Sequence, residues 1–197
     1  NISFRINFWK DYLFKIIKRK SKYGANKVDV KKYNIEFVSA NPTGPLHVGH
    51  CRGAVIGDVI SNLLIFNGHT VTKEYYVNDY GGQVKNFIKS VYYRIIEILE
   101  NKKFPEDQEL YPGDYVIDIA RKIIEKNIIK NYKNFDKIFD KLSKECLSIS
   151  METIKANLSM LNVKHNSFIY ESEIINSKIV SKTIEKLKKR GLVYTGK

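Results

Sequence analysis

Cysteine, proline and long apolar runs are all scarce in this 197-residue chain, which has two cysteines and four prolines. Two cysteines cannot build the disulfide framework of a small secreted domain, so we expect a reducing, cytoplasmic location. No apolar run reaches the ~18 to 20 residues that a membrane-spanning helix requires, so we expect no membrane partner. The apolar fraction of 43% is nevertheless sufficient for a globular core.

Acidic residues are also in short supply, since 21 Asp and Glu stand against 34 Lys and Arg, for a net charge of +13. The imbalance is greatest in residues 1–33, where ten basic side chains accompany two acidic ones. A basic surface suits a polyanionic partner such as RNA. However, arginine is the usual residue in nucleic-acid contacts, and lysines outnumber arginines 28 to 6. A solvated lysine-rich surface is therefore an equally good interpretation of the charge.

The spacing of apolar residues predicts an α/β chain with strands early and helices later. Predicted helices cover 8–20, 48–66, 83–99, 114–129, 135–161 (one helix or two) and 174–190, and predicted strands cover 35–38, 71–77, 168–170 and 192–195. The polar segment 22–33 is predicted to be a linker, and residues 93–190 a helical insertion between two strands of a sheet begun earlier. Because residue 1 is Asn and the chain stops just after a predicted strand begins, we expect a piece of a longer protein.

Residues 35–77 are predicted to form a strand, a helix and a second strand with short connections, which is a βαβ unit. Such a unit has parallel strands, and ligands collect outside the carboxyl ends of parallel strands. Those ends are the loop 39–50 and the turn at Asn78 and Asp79. Both loops are therefore expected at one edge of the sheet.

The loop 39–50 is rich in proline and glycine and delivers two histidines, His47 and His50, to the start of an apolar helix. Backbone N–H groups and the positive end of a helix favour phosphate at such a junction. The imidazoles would stand beside the phosphates as hydrogen-bond donors. Two alternatives are a purely structural pair and a metal site with Cys51, but no further Cys/His cluster supplies a closed metal site. We expect no metal ligands.

The segment 39–58, SANPTGPLHVGHCRGAVIGD, resembles the ATP-binding stretch of class I aminoacyl-tRNA synthetases, in the version found in arginyl-tRNA synthetases. The run His47-Val48-Gly49-His50 stands in the place of the family's HIGH motif. Further similarities lie at 35–37, 76–79, 111–115 and 190–194, and residues 6–8 are similar to the end of the family's N-terminal accessory domain. The resemblance implies an accessory-domain tail and linker at 1–33, the first half of a Rossmann-like parallel-sheet nucleotide-binding domain at 34–92, and a mostly helical connective insertion returning to the sheet at 93–197.

The resemblance also implies a two-step reaction. The carboxylate of L-arginine attacks the α-phosphate of ATP, which is accompanied by Mg²⁺, and the arginyl group then passes to the 3′ end of tRNA(Arg). The implied catalytic residues are His47 and His50, which would donate hydrogen bonds to the phosphates. No tightly bound cofactor is expected. The implied ATP-binding stretch comprises Ala40, Asn41, Pro42, Thr43, Gly44, Pro45, Leu46, His47, Val48, Gly49 and His50.

Three residues correspond to the family's arginine pocket. By this resemblance Glu36 would pair with the guanidinium group, and Asn41 would hold the α-amino group, with Ser39 close by. The alternative for Glu36 is an ordinary carboxylate at a strand edge. Arg52 would either reach a phosphate or pair with Asp58.

Asn78 and Asp79 lie at the same predicted edge, either as ligand contacts or only as turn formers.

Several family features are not in these residues, including the KMSKS-type loop, the helix that completes the arginine pocket, and the anticodon-binding domain. We therefore expect half an active site and no aminoacylation by this segment alone. The full-length protein is expected to be a monomer whose ATP–pyrophosphate exchange needs tRNA. The alternatives are another HIGH-motif adenylyl transferase or ligase, and a non-catalytic tRNA-binding module.

Overall fold

The fold was obtained as a computed structural model, which describes residues 2–25, 29–194 and 196. Three strands and seven α-helices lie in this part of the chain. In order they are α1 (Ile6–Arg19), β1 (Lys32–Glu36), α2 (Val48–Phe66), β2 (Thr70–Val77), α3 (Gly82–Glu100), α4 (Asp114–Lys126), α5 (Phe135–Met160), β3 (Ser167–Tyr170), α6 (Glu171–Asn176) and α7 (Ile179–Lys189). A single 3₁₀ turn, Lys20–Lys22, follows α1.

The three strands form one parallel sheet in the order β1-β2-β3. Lys32 is in register with Thr70, and Glu74 is in register with Ser167. Parallel neighbours require long crossovers, and here α2 connects β1 to β2, while α3, α4 and α5 connect β2 to β3. The predicted α/β class, the βαβ unit and the position of both loops at one edge of the sheet are confirmed.

One face of the sheet is covered by helices. Along β2, residues 73, 75 and 77 are buried, as expected when alternate side chains face a core. Lys73 meets α2 through an ion pair with Asp58 at 2.6 Å. Tyr75 and Val77 pack in one cluster with Met151, Ile154 and Leu158 of α5. Helices α2 and α5 thus form a single layer over this face.

A second core lies between α3, α4 and α5, and its members recur at helical spacing. The fully buried ones include Phe87, Ile88, Val91, Ile95, Val116, Ala120, Ile123, Leu142 and Cys146. Because α5 contributes to this core and also to the core on the sheet, it ties the helical insertion to the sheet along one continuous helix.

Two predicted strand positions are wrong. Strand β1 is Lys32–Glu36 rather than 35–38, because Val38 and Ser39 have φ angles of 69° and 41° and cannot continue an extended strand. Residues 192–194 form no strand, and Thr195 lies outside the described residues. The chain returns to the sheet earlier, at β3, over the predicted segment 168–170.

The helix boundaries agree better with the sequence. Helix α2 has the predicted bounds, and α5 is one helix rather than two. The predicted helix 174–190 is wrong, because Lys178 at φ 58° separates α6 from α7. The segment 114–129 ends early, at Lys126, since Asn127 takes a left-handed conformation. Of the predicted linker 22–33, residues 26–28 lie outside the described part, and 32–33 belong to β1.

Helices α1 and α2 expose much of their apolar surface. None of the residues of α1 is buried, and Val48, at the start of α2, is 86% exposed. Even so, within the described ranges no helix combines the length and apolarity needed to cross a bilayer.

Candidate active site

Strand β1 ends in a three-residue turn at the ligand edge of the sheet. The carbonyl of Phe37 accepts a hydrogen bond from the amide of Ser39 at 3.1 Å, across Val38 at φ 69°. A turn of this kind is rare and strained for a β-branched residue. It places the Ser39 hydroxyl where it donates to Glu36 at 2.5 Å and accepts from the amide of Tyr76 at 3.0 Å. The turn therefore brings together Glu36 and Ser39, two of the three candidate arginine-binding residues.

Strand β2 also ends in a three-residue turn, since the amide of Asp79 donates to the carbonyl of Val77 at 3.0 Å. The Asp79 carboxylate accepts hydrogen bonds from the amide and hydroxyl of Ser172, at 2.9 and 2.6 Å, near the start of α6. Asn78, with its amide oriented to satisfy its neighbours, donates to Glu171. Both side chains thus hold α6 against the end of β2.

Two tyrosines support the loop that follows β1. The hydroxyl of Tyr75, in β2, donates to the carbonyl of Ala40 at 2.8 Å. The hydroxyl of Tyr115, in α4, donates to the carbonyl of Thr43 at 3.0 Å. Burial raises the pKa of each tyrosine to about 12, so both are protonated donors at neutral pH. Sequence analysis assigned no role to either tyrosine, although Tyr115 lies in the segment 111–115 that resembles the family.

Above these supports the loop borders an open cleft of ≈ 420 Å³. The amide of Asn41 donates to Gln83, the second residue of α3, at 2.8 Å, so a side chain that sequence analysis missed sets the orientation of a candidate ligand group. Pro42 and Thr43 are buried, which fixes the loop from within. The cleft is lined by Val38, Ser39, Ala40, Asn41, Thr43, Gly44, Pro45, His50, Tyr111 and Tyr115.

The two histidines cap α2 reciprocally. His47 is the N-cap residue, and its Nδ1 accepts a hydrogen bond from the amide of Gly49 at 3.2 Å. Nδ1 of His50 accepts from the amide of His47 at 3.2 Å, and the two rings stack with centroids 3.8 Å apart. An acceptor Nδ1 means that a neutral imidazole carries its proton on Nε2. The cap therefore leaves each histidine with an Nε2–H donor at the positive end of α2.

The surroundings of His50 favour its neutral form. Burial lowers the pKa of His50, and the neighbouring His47 lowers it further. At neutral pH His50 can thus keep its cap and still donate a hydrogen bond from Nε2.

Two glycines let α2 approach its neighbours closely. A Cβ atom at Gly49 would lie 3.0 Å from Cε1 of His47, so a side chain there would crowd the capping ring. A Cβ atom at Gly57 would lie 2.2 Å from Cγ of Phe37. Helix α2 therefore packs directly on the first residue of the strained turn, and its N-terminus is held over the loop.

Arg52 is exposed near the start of α2. The expected alternative, an ion pair between Arg52 and Asp58, is not seen. Asp58 instead pairs with Lys73, which also donates to Asn62 at 2.9 Å. Among the residues that the structure describes, no group of three His, Cys, Asp or Glu side chains is arranged to hold a metal ion.

The comparison with protein families decides between the classes that this geometry allows. The family model described as tRNA synthetases class I (R), catalytic domain, matches residues 12–196. The chain belongs to the class I arginyl-tRNA synthetase family. The resemblance seen in the sequence is thereby confirmed.

Relatives in the synthetase family are similar over the whole chain. The arginine–tRNA ligase of Pelagibacter ubique is 52% identical over 199 residues, covering 100% of this chain and 34% of the relative. The arginine–tRNA ligase of Anaplasma marginale is 42% identical, covering 95% of this chain and 32% of the relative. This chain thus spans about a third of the length of the curated synthetases that it matches.

Solved structures agree with the fold. A Campylobacter jejuni crystal structure, assigned as an arginyl-tRNA synthetase, has a TM-score of 0.85 at 27% identity, covering 98% of this chain and 42% of that chain. The arginyl-tRNA synthetase of Thermus thermophilus has a TM-score of 0.53 at 16% identity, covering 89% of this chain and 30% of that chain, and supports the fold alone.

Proposed function

We propose that this chain is the part of an arginine–tRNA ligase that binds ATP and begins the arginine pocket. The observation that carries the proposal is the reciprocal cap of His47 and His50, which provides two Nε2–H donors at the N-terminus of α2. The naming of its curated relatives as arginine–tRNA ligases supports the choice of amino acid.

In the first step the carboxylate of arginine attacks the α-phosphorus of ATP, and pyrophosphate leaves with the electrons of the broken P–O bond. ATP enters with Mg²⁺ as part of the substrate. We assign its binding to the loop Ala40–His50. His47 and His50 donate hydrogen bonds to phosphate oxygens as negative charge develops on them, and the dipole of α2 acts in the same direction.

Arginine would lie at the end of β1. Glu36 is exposed there and is already bonded to Ser39, so its carboxylate is oriented before the guanidinium arrives. A carboxylate and a guanidinium form a paired, charge-assisted contact. Asn41 would receive the α-amino group through its amide oxygen, while its amide nitrogen stays bonded to Gln83.

In the second step the arginyl group passes to the 3′ end of tRNA(Arg), and the net charge of +13 is suited to that polyanion. We propose that residues 1–33 are the tail of an accessory domain with a linker, 34–92 the first half of the catalytic domain, and 93–197 a helical insertion that returns to the catalytic sheet. We also propose a cytoplasmic monomer at full length, testable by sedimentation.

The decisive experiment is ATP–pyrophosphate exchange by the full-length protein that contains this chain, with each of several amino acids and with and without tRNA. We expect exchange with arginine, dependent on tRNA. Exchange with another amino acid or with none would replace the proposal by a different HIGH-motif ligase. Salt-sensitive tRNA binding without any ATP binding would replace it by an RNA-binding module.

A further inference from the structure

A histidine outside the ATP loop contacts the strained turn at the end of β1. His165 lies between α5 and β3, and its Nε2 is 3.2 Å from the carbonyl of Phe37. The same carbonyl accepts the amide of Ser39 that closes the turn. Because a carbonyl can only accept, Nε2 of His165 is the donor, and the imidazole is the Nε2–H tautomer.

The imidazole of His165 is held in a fixed place. Its ring lies 4.2 Å from the ring of Phe37 and 5.3 Å from that of Tyr75, between centroids. The next residue, Asn166, donates its amide to the carbonyl of Lys73 and accepts the amide of Lys73 through its side chain, at 2.8 and 3.0 Å. Strand β2 therefore anchors the segment that carries His165.

The other ring nitrogen of His165, Nδ1, makes no hydrogen bond within the described residues. It is also buried. A buried polar atom without a partner reduces stability, and an apolar ring at this position would not carry that cost. The histidine is therefore a poor choice for packing alone, and the hydrogen bond to Phe37 is the gain that offsets it.

We propose that His165 is a positioning residue for arginine binding, which holds the turn 37–39 and through it the bonded pair of Ser39 and Glu36. The inference rests on the proposed function, in which Glu36 receives the guanidinium group. The path is short: His165 fixes the Phe37 carbonyl, the turn fixes Ser39, and the Ser39 hydroxyl orients Glu36.

The test uses four variants of the full-length protein. His165→Phe keeps the ring and removes the donor. His165→Gln places an amide N–H near the position of Nε2, whereas His165→Asn reaches only about as far as Nδ1. His69→Phe is the matched control, since His69 lies at the opposite, amino end of β2.

For His165→Phe and His165→Asn we expect the KM for arginine in ATP–pyrophosphate exchange to rise about fivefold, as for the loss of one hydrogen bond. The KM for ATP should change much less. His165→Gln should restore most of the arginine affinity, and His69→Phe should match the wild type. The melting temperature of His165→Phe should not fall. Equal arginine KM values in all variants, or a fall in melting temperature that parallels the loss, would overturn the inference.

A second measurement separates this inference from the proposed function. Hydrogen exchange of the amide of Ser39 reports closure of the turn whether or not the protein activates arginine. We expect faster exchange in His165→Phe than in the wild type, with His165→Gln close to the wild type. If the wild type exchanges pyrophosphate with no amino acid, the proposed function fails. If the exchange of the Ser39 amide is unchanged in His165→Phe, the positioning role fails.

Discussion

His50 accepts a hydrogen bond through Nδ1 from the backbone amide of His47, and the two imidazole rings stack with centroids 3.8 Å apart. His47 in turn caps the amide of Gly49. The groups that would contact ATP are thus also the groups that begin α2. Because both Nδ1 atoms serve the helix, both Nε2–H groups are available for a ligand.

The cap gives a prediction about stability. His47→Ala should lower the free energy of unfolding by about 1 kcal/mol, because the amide of Gly49 loses its acceptor. His47→Asn should retain most of that stability, since asparagine is a favourable N-cap residue with an acceptor oxygen in reach. Urea denaturation of the full-length protein measures both. Equal losses in the two variants would show that His47 does not cap α2.

Contact between α2 and the turn predicts opposite effects for two neighbouring glycines. Gly57→Ala should destabilise the protein by about 2 kcal/mol or more, because the new methyl group would overlap the ring of Phe37. Gly53→Ala should instead stabilise it by about 0.5 to 1 kcal/mol, because nothing lies within 4 Å of a Cβ atom there and alanine favours a helix. Thermal unfolding compares them directly. Similar effects at both positions would contradict this packing.

Tyr115 of helix α4 supports the loop that is proposed to bind ATP, so its removal should weaken nucleotide binding. Tyr115→Phe removes the donor to the carbonyl of Thr43, so the KM for ATP in pyrophosphate exchange should rise about threefold to tenfold. Tyr93→Phe is the matched control, because the hydroxyl of Tyr93 has no hydrogen-bond partner in the described part of the chain. If the two variants bind ATP equally well, Tyr115 does not support the loop.

The lowered pKa values of two histidines predict how the stability of the protein depends on pH. Burial lowers the pKa of His165 and of His50 below the ordinary value of 6.5. Below pH 6.5 the unfolded chain therefore binds protons that the folded chain does not, and stability falls as the pH decreases toward the folded pKa values. The hydrogen bond to the Phe37 carbonyl raises the pKa of His165, Lys73 lowers it and Asp58 raises it, each by less than burial lowers it.

Urea unfolding at pH 7.5 and pH 5.5 tests this dependence. The wild type should lose stability between the two values, and His165→Phe should lose less, since it lacks one of the two histidines whose pKa is lowered in the fold. Carboxylates that titrate between these pH values change the stability of both proteins by the same amount, so their effect cancels when the two losses are compared. A loss in His165→Phe as large as that of the wild type would show that His165 does not titrate in this range.

Local patterns predicted the elements whose ends are set by nearby residues. Helix α2 has its predicted bounds because His47 caps one end and Asn67 with Gly68 ends the other. Strand β2 lies between two clear turn signals and differs from the predicted 71–77 only at Thr70. The resemblance carried by 39–58 was likewise local, and it indicated the family.

The remaining features depend on contacts between distant residues. Val38 has the preference of a strand residue, yet the bonds at the Phe37 carbonyl, one of them from His165, hold it at φ 69°. The support of the loop by Tyr115 and the close contact of Gly57 with Phe37 arise only when the fold brings these residues together. The spacing of apolar residues along the sequence does not indicate which distant residues will be in contact.

The most direct measurement of the central claim is the arginine-dependent ATP–pyrophosphate exchange rate of His47→Asn in the full-length protein. The rate is measured without denaturant, at a temperature where the wild type and the variant are both folded. This variant keeps the cap of α2 and removes the Nε2–H donor. The account predicts a rate about 100-fold lower than that of the wild type, the usual cost of losing a donor to a developing oxyanion. A rate within about threefold of the wild type would contradict the claim that His47 serves ATP as well as the helix.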